Sequence, residues 1–499
     1  MEPFLEALPA VLAWENLIAI IGGTIIGMVA GALPGLTATM TIAVLIPLTF
    51  SMEPLVALGM MAGIYNGAMY GGAIPAILLR IPGTPPSIVT TFDGHPMANR
   101  GEAGYALKIA CWSSAIGGAI SAIALMTIAP QLVKVTLLFG PAEYFWVAVF
   151  GLSAIAVLLG ADPVKGLISA CLGLLLSTVG LDIVTGHERL TFDALYLVDG
   201  LNLIVVLSGL YAIPPALMMA EEALKQGIAK EKIRLEKSPP IWRALGTFWP
   251  TWTRSGLIGV FVGILPGTGG SMAAFISYNE ARRADPDPES FGKGNPKGVA
   301  AAECGNNADN AAAMIPALTL GVPGSAVAAV ILAGLLVHGL QPGPQLFRDS
   351  AVIVYGFMIQ MLLTSLLLIA FGGEASARIF AQVLRIPRLL LAPMILALSV
   401  IGIYTLNNTL TDVWVLLGFG MVGYVMDRLG FPLAPAILGL ILGSLAEQQL
   451  RLTLLIHQND IGALFDSWLS WTIIGLTAAV LLYPVFRWAQ ARRRTPEAP

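Results

Sequence analysis

Apolar stretches of about the length a helix needs to cross a bilayer recur from one end of this chain to the other. They run roughly over 17–33, 36–50, 55–79, 106–129, 144–160, 164–184, 201–219, 255–280, 299–337, 349–371, 389–406, 412–426, 432–446 and 468–486. The stretch 299–337 is too long for one crossing and reads as two segments. In hydrocarbon no water satisfies the backbone, so only helices or closed barrels can span it. These runs are continuous, unlike the alternating ten-residue strands of an outer-membrane barrel. They predict an all-α polytopic membrane protein with about twelve transmembrane segments. Only 11% of the 499 residues are charged, against about 25% in ordinary soluble domains. A soluble enzyme and a disordered scaffold are therefore disfavoured. The net charge of −3 gives no reason to expect a nucleic-acid partner.

Charge asymmetry sets the expected orientation. Residues 220–254 carry Lys225, Lys230, Lys232, Arg234, Lys237, Arg243 and Arg254, and the C-terminus carries Arg487, Arg492, Arg493 and Arg494. Ahead of the first apolar run stand Glu2, Glu6 and Glu15 with no basic residue. Basic loops stay cytoplasmic, so the N-terminus is expected outside and the C-terminus inside. The division that follows is a first transmembrane half (1–219), a basic cytoplasmic linker (220–254), a second transmembrane half (255–488) and a basic tail (489–499). The first half then crosses an odd number of times and the second an even number. The start, MEPFLEALPAVLAWEN, lacks the basic n-region of a signal peptide, so the helices themselves are expected to drive insertion. Cys111, Cys171 and Cys304 show no paired or metal-binding spacing and read as small apolar filler.

The two halves are related in sequence. GMVAGALPGLTATM (27–40) matches GVFVGILPGTGGSM (259–272) at an offset of 232, and IPAILLRIPGT (74–84) matches IPALTLGVPGS (315–325) at an offset of 241. A longer polar insert near 282–298 accounts for the difference. Copies separated by an odd number of crossings insert upside down, the build of many secondary transporters, whose site lies at the midplane between copies. Two inverted repeats are thus expected; duplication for stability alone is the alternative.

The duplicated residues have physical consequences. Leu-Pro-Gly within an apolar run removes a backbone donor and frees the chain to bend. Such a break is tolerated at membrane depth only where it is buried in protein or lines a wet cavity. Helix starts at such breaks aim N–H groups and positive dipole ends at anions such as carboxylates. The Pro-Gly arms, broken helices or hairpins, place Gly35, Thr37 and Thr39 at one break and Gly267, Thr268 and Ser271 at the other. The second block adds Thr84 and Ser325, and at offset 241 Asn66 falls on Asn307. Thr37, Thr39, Asn66, Gly35, Thr84, Gly267, Thr268, Ser271, Asn307 and Ser325 form the expected carboxylate shell. A helix that is simply kinked, its hydroxyls bonded back to its own carbonyls, is the competing reading. Arg80 is a candidate counter-charge for the anion, or a side chain snorkelling to an interface. Asn306, Asn310, Asp309 and Glu303 are candidates for coupling to a cation or proton, with Na⁺ conceivable near Asn66 and Asn307. For the two acids a solvated position beside the insert is the alternative.

Enzymatic chemistry finds no support. His95, His187, His338 and His457 lack metal-ligand spacing, and Walker A, dinucleotide-binding and GxSxG motifs are absent. No catalytic residue, resident metal or cofactor is expected. Trp242, Trp249, Trp252, Trp468, Trp471 and Trp488 read as interfacial anchors.

The longest motifs bring a family into view. GALPGLTATM (31–40), YNGAMYGGAIPAILLRIPGTP (65–85), DGHPMANRGEAG (93–104), GILPGTGGSMAAFISY (263–278), FGKGNPKGVAAAECGNNADNAAAMIPALTLGVPGS (291–325) and GLQPGP (339–344) span most of the chain. Together they resemble the large permease (TctA) subunit of bacterial tripartite tricarboxylate transporters. The resemblance implies a permease of the cytoplasmic membrane that works with a small membrane subunit and a periplasmic solute-binding protein. It implies secondary transport of citrate and related carboxylates on a Na⁺ or H⁺ gradient. Family function maps onto Pro34-Gly35, Pro266-Gly267, Pro82-Gly83, Pro323-Gly324 and Asn306-Asn307. Two departures leave the particular substrate open. Arg80 stands where relatives often carry a neutral polar residue, and Pro-Glu-Ala-Ala-Asn-Asn becomes Ala302-Glu303-Cys304-Gly305-Asn306-Asn307. A self-sufficient permease or exporter is the alternative within transport.

Overall fold

A computed structural model of the protein describes residues 2–158, 162–182, 185–225, 245–373 and 388–494. In the first part of the chain the helices are α1 (Glu2–Val11), α2 (Trp14–Ala32), α3 (Ala38–Thr49), α4 (Pro54–Gly71), α5 (Ala73–Leu79), α6 (Thr90–Asn99), α7 (Ala103–Thr136), α8 (Pro141–Leu158), α9 (Pro163–Ser177), α10 (Leu195–Val198) and α11 (Leu203–Lys225). The second part contains α12 (Leu245–Ile264), α13 (Gly269–Ala284), α14 (Pro296–Ala312), α15 (Met314–Leu320), α16 (Ala326–Val337), α17 (Pro344–Asp349), α18 (Ala351–Phe371), α19 (Arg388–Asn407), α20 (Leu410–Arg428), α21 (Leu433–Ile456) and α22 (Trp468–Arg494). Among the described residues the strands amount to one two-residue pair, Gly180–Leu181 with Glu188–Arg189. Most of the basic linker, residues 226–244, and the side chains of the arginine-rich C-terminus lie outside the described residues.

Eight described helices are long and apolar enough to cross a membrane: α2, α7, α8, α11 up to Glu221, α18, α19 from Leu390, α20 and α21. Shorter apolar helices stand at Ala38–Thr49, Pro163–Ser177, Ala326–Val337 and Trp468–Leu482. The molecule is an all-α, multi-pass membrane protein. The sequence windows nearest the Pro-Gly motifs are the ones that split. Window 55–79 becomes α4 and α5, stopped by Arg80 in the left-handed region at φ 57°. Window 299–337 becomes α14, α15 and α16, with Gly321 at φ 73° in the position corresponding to Arg80. In each case a left-handed residue followed by Pro-Gly ends the helix, because proline cannot donate to the preceding turn.

At the centre α7, 34 residues long, packs against α14, α18 and α12. At 1.5 Å per residue it is about 50 Å long, which overruns the ~30 Å hydrocarbon layer. Beside it, α2 runs along α4 and α12 runs along α14. Both helix pairs approach backbone to backbone. A Cβ on Gly27 would lie 2.4 Å from the Ile64 carbonyl oxygen, and one on Gly259 would lie 2.5 Å from that of Gly305. The Pro-Gly turns then cross these pairs: a Cβ on Gly83 would lie 2.1 Å from the Gly31 oxygen, and one on Gly324 would lie 2.3 Å from the Gly263 oxygen. All four partners correspond at the two sequence offsets of 232 and 241. Similar residues have built the same local contact twice.

Candidate functional site

The amides of the second Pro-Gly block lie on α14, which is buried along nearly its whole length despite its polarity. Asn295 caps its start by accepting from Lys297 N at 2.8 Å, and Pro296 occupies the first turn. Small residues, Ala300, Ala301, Ala302 and Gly305 among them, let neighbouring helices close around it. Its polar side chains therefore meet protein groups rather than solvent, and each buried donor or acceptor needs a partner.

Asn66 from α4 joins three elements. Its Nδ2 donates to the Thr364 hydroxyl at 2.8 Å, the Ser365 hydroxyl at 3.1 Å and the Met361 carbonyl at 3.2 Å, all on α18. Its Oδ1 accepts from Asn310 Nδ2 at 2.8 Å. Asn310 Nδ2 lies 3.4 Å from Asn307 Oδ1, and Asn307 Nδ2 donates to the Glu303 carbonyl at 3.0 Å. The two asparagines that correspond in the repeat are thus linked through Asn310 in one buried chain.

Glu303 is held from two other helices. The Thr90 hydroxyl donates to one carboxylate oxygen at 2.5 Å and the Ser114 hydroxyl to the other at 2.9 Å. Its burial at 0% exposure excludes a solvated position beside the insert, and Asp309, at 1%, is equally enclosed. Tyr65, next to Asn66, places its hydroxyl 3.2 Å from the Ser325 hydroxyl. Several side-chain atoms remain unpaired. Both polar atoms of Asn306, Asp309 Oδ1, Asn310 Oδ1 and the Thr84 hydroxyl are buried without a hydrogen-bond partner.

The hydroxyls at the first pair of breaks are used locally. Thr37 caps α3 by accepting from Met40 N at 3.2 Å, and Thr268 donates back to the Val262 carbonyl at 2.6 Å and the Leu265 carbonyl at 2.9 Å. Gly35 and Gly267 take positive φ, 97° and 81°, as the two turns require. Thr39 and Ser271 are half-buried and Arg80 is exposed at the end of α5. No hydrogen bond joins Thr37, Thr39, Thr268, Ser271 or Arg80 to the amide chain.

Thr90, Ser114, Thr364, Ser365 and Tyr65 belong to this centre and were not singled out from sequence. For Ser114, Thr364, Ser365 and Tyr65 the signal is a hydroxyl inside an otherwise apolar run, which at membrane depth is costly unless it is used; Thr90, between runs, carries no such signal. Asp93, from the DGHPMANRGEAG motif, has a different role. One carboxylate oxygen accepts from the backbone N–H groups of Gly292, Gly294 and Asn295 at 2.9, 2.7 and 2.7 Å, and the other from the Tyr278 hydroxyl at 2.8 Å. Arg100 donates to the carbonyls of Lys293 and Gly294, both at 2.7 Å. This clasp ties the first half to the polar insert of the second. Nearby, burial works to raise the Asp285 carboxyl, but the Lys297 ammonium at 2.6 Å and the Asp287 N–H hold it below the ordinary carboxylate range.

The fold is that of an all-α multi-pass membrane protein, with carboxylate and amide groups enclosed beside two related helix breaks. The comparison with known proteins makes the class specific. Residues 17–438 match the tripartite tricarboxylate transporter TctA family, and the chain belongs to that family. The family forms the large subunit of tripartite transporters, which implies partner subunits. The chain is 35% identical over 446 residues to an uncharacterized 52.8 kDa protein in the TAR-I ttuC' 3' region of Agrobacterium vitis, covering 89% of this chain and 88% of that relative. It is 34% identical over 218 residues to an uncharacterized protein in the TAR-II ttuC' 3' region of the same organism, covering 44% of this chain and 90% of the relative. No solved structure matches.

Proposed function

We propose that this chain is the large permease subunit of a tripartite secondary transporter that imports tricarboxylates or related carboxylates. Uptake is coupled to a Na⁺ or H⁺ gradient, and a periplasmic solute-binding protein delivers the substrate. A small membrane subunit completes the assembly in the bacterial inner membrane. The observation that carries this reading is the buried link from Asn66 through Asn310 to Asn307, which joins corresponding positions of the two copies inside an apolar interior. Amide and hydroxyl donors can receive a carboxylate there by exchanging partners. Thr84, Ser325 and the Pro-Gly backbone complete the substrate shell, with Arg80, Thr37, Thr39, Thr268 and Ser271 on the approach to it.

The proposed architecture is two inverted repeats with about twelve crossings. Its support is where corresponding helices begin. The α3–α4 turn meets the turn after α16, with His338 Nε2 3.1 Å from the Thr49 carbonyl oxygen. The start of α14 meets instead the first turn of α6 through Asp93, and the loop ahead of it meets the α6–α7 turn through Arg100. The N-terminus is proposed to be periplasmic and the C-terminus cytoplasmic.

The test is uptake of a panel of labelled carboxylates into cells carrying all three components. Accumulation that collapses with the ion gradient is expected. Asn66→Ala and Asn307→Ala should each abolish it while folded protein is still recovered; undiminished transport by either variant would reject this site. Full uptake by the large subunit alone would reject the tripartite reading.

A further inference from the structure

Three oxygens on α14 stand out from the satisfied network around them. Asn306 Oδ1, Asp309 Oδ1 and Asn310 Oδ1 accept no hydrogen bond, although each residue is only 1% exposed. A buried, unpaired carboxylate is costly, and the cost falls only when a positive charge or a proton joins it. Glu303, two turns earlier, differs in that Thr90 and Ser114 donate to both of its oxygens. We propose that Asp309, Asn306 and Asn310 form a binding site for one monovalent alkali cation. This inference deepens the transport reading by placing its coupling ion.

The atom inventory decides between a cation and a proton. A proton on Asp309 would neutralise the charge and donate a single hydrogen bond, leaving at least one amide oxygen bare. A hard cation accepts carboxylate and amide oxygens together in one coordination sphere. Residues three and four apart on a helix have Cβ atoms about 5–6 Å apart, so side chains at 306, 309 and 310 can converge. Among the described residues no three His, Cys, Asp or Glu side chains gather as a metal site. One carboxylate supplies one negative charge, which matches a monovalent ion. Asn306 Nδ2, the remaining unpaired side-chain atom on α14 among the described residues, is a donor and suits the anionic substrate.

The site has no counterpart in the first half. At the offset of 241, positions 306, 309 and 310 correspond to Tyr65, Ala68 and Met69, none of which offers a carboxylate or amide oxygen. Duplicated scaffolding therefore carries one cation site per chain.

Thermal unfolding of the purified full-length chain tests this without substrate or partners. NaCl, LiCl and KCl are each compared with choline chloride at constant ionic strength and across pH. At least one alkali cation should raise the midpoint. Asp309→Asn and Asn306→Ala should each raise the half-effective concentration of that cation at least tenfold. Asp412→Asn, which alters a different buried acid held by Tyr196, Asn407 and Thr409, should leave the cation response in place. If Asp309→Asn yields no folded protein, Asn306→Ala decides. A midpoint that follows pH but ignores all three cations overturns the site and assigns Asp309 to a proton, leaving carboxylate uptake untouched. A cation response undiminished in the variants also overturns it. An intact cation response in a protein that takes up no carboxylate would instead reject the transport reading.

Discussion

Gly83 and Gly324 show how much one missing methyl group decides. Each lies where a Pro-Gly turn crosses the helix of its own half, with a carbonyl oxygen where a Cβ would go. Forcing an extra carbon into a packed interior typically costs about 1–3 kcal/mol. Gly83→Ala and Gly324→Ala should therefore lower the thermal midpoint and the yield of folded protein. Gly22, with nothing within 4 Å of its would-be Cβ, is the contrast. Gly22→Ala in α2 should hold or raise the midpoint, by up to about 1 kcal/mol of helix propensity. Residue-scale legibility in the sequence was uneven. The correspondence of Asn66 with Asn307 was visible as an offset, because both sit beside a duplicated Ile-Pro. Their actual connection was not, since Asn310 and the α18 hydroxyls are brought in by packing between segments far apart in sequence. Duplication favoured Thr37 and Thr268 as site residues over back-bonded hydroxyls of a kinked helix, whereas the structure hydrogen-bonds both locally.

Elements were legible where hydrophobicity alone defines them and less so where the backbone breaks. Segment 106–129 sits within a single helix, Ala103–Thr136, because nothing in it interrupts the apolar run until Pro130. The windows containing Ile-Pro and Pro-Gly merged short helices, since average hydropathy does not register a left-handed residue such as Arg80. The role of the DGHPMANRGEAG motif was likewise hidden, because its partners are backbone groups of a loop almost 200 residues away. Asp93→Ala should leave three loop N–H groups without their acceptor, at about 1–3 kcal/mol for each that stays buried. Amide hydrogen exchange across Gly292–Asn295 should then accelerate at least tenfold, while exchange in α20 stays unchanged. The neighbouring Asp285–Lys297 contact has a defined pH sense. A carboxyl depressed in the folded state stabilises above the ordinary carboxylate range, and that contribution is lost as pH falls through its folded value. Protection of the amides at the start of α14, relative to their intrinsic exchange at each pH, should accordingly fall in acid, and Lys297→Met should weaken that dependence.

At the scale of the molecule, the apolar composition correctly indicated a multi-pass membrane protein, and the duplicated motifs indicated where its polar groups gather. The direction in which the copies lie is open to a labelling experiment. Asn99 and Gln341 are exposed, one beside the Asp93 clasp and the other beyond the His338 turn. Single cysteines at these positions, in a variant without Cys111, Cys171 and Cys304, should react with an impermeant thiol reagent from opposite sides of the membrane. Reaction of both from the same side would reject the inverted arrangement.

The crossings also constrain how such a molecule can move. Since neither has room for a methyl group, a turn cannot slide along its helix by even a fraction of a residue. Each crossing is in effect a rivet between a turn and its helix. Across the two halves the contacts differ in strength: a Cβ on Gly117 would lie 2.2 Å from the Cys304 oxygen and Asp93 holds the 292–295 loop, whereas Tyr65 meets Ser325 and Asn66 meets Asn310 through single hydrogen bonds. Each such bond contributes only about 1 kcal/mol net, so these two links can be unfastened and refastened stepwise. The two weak links stand among tight ones, and the scarce polar side chains form them.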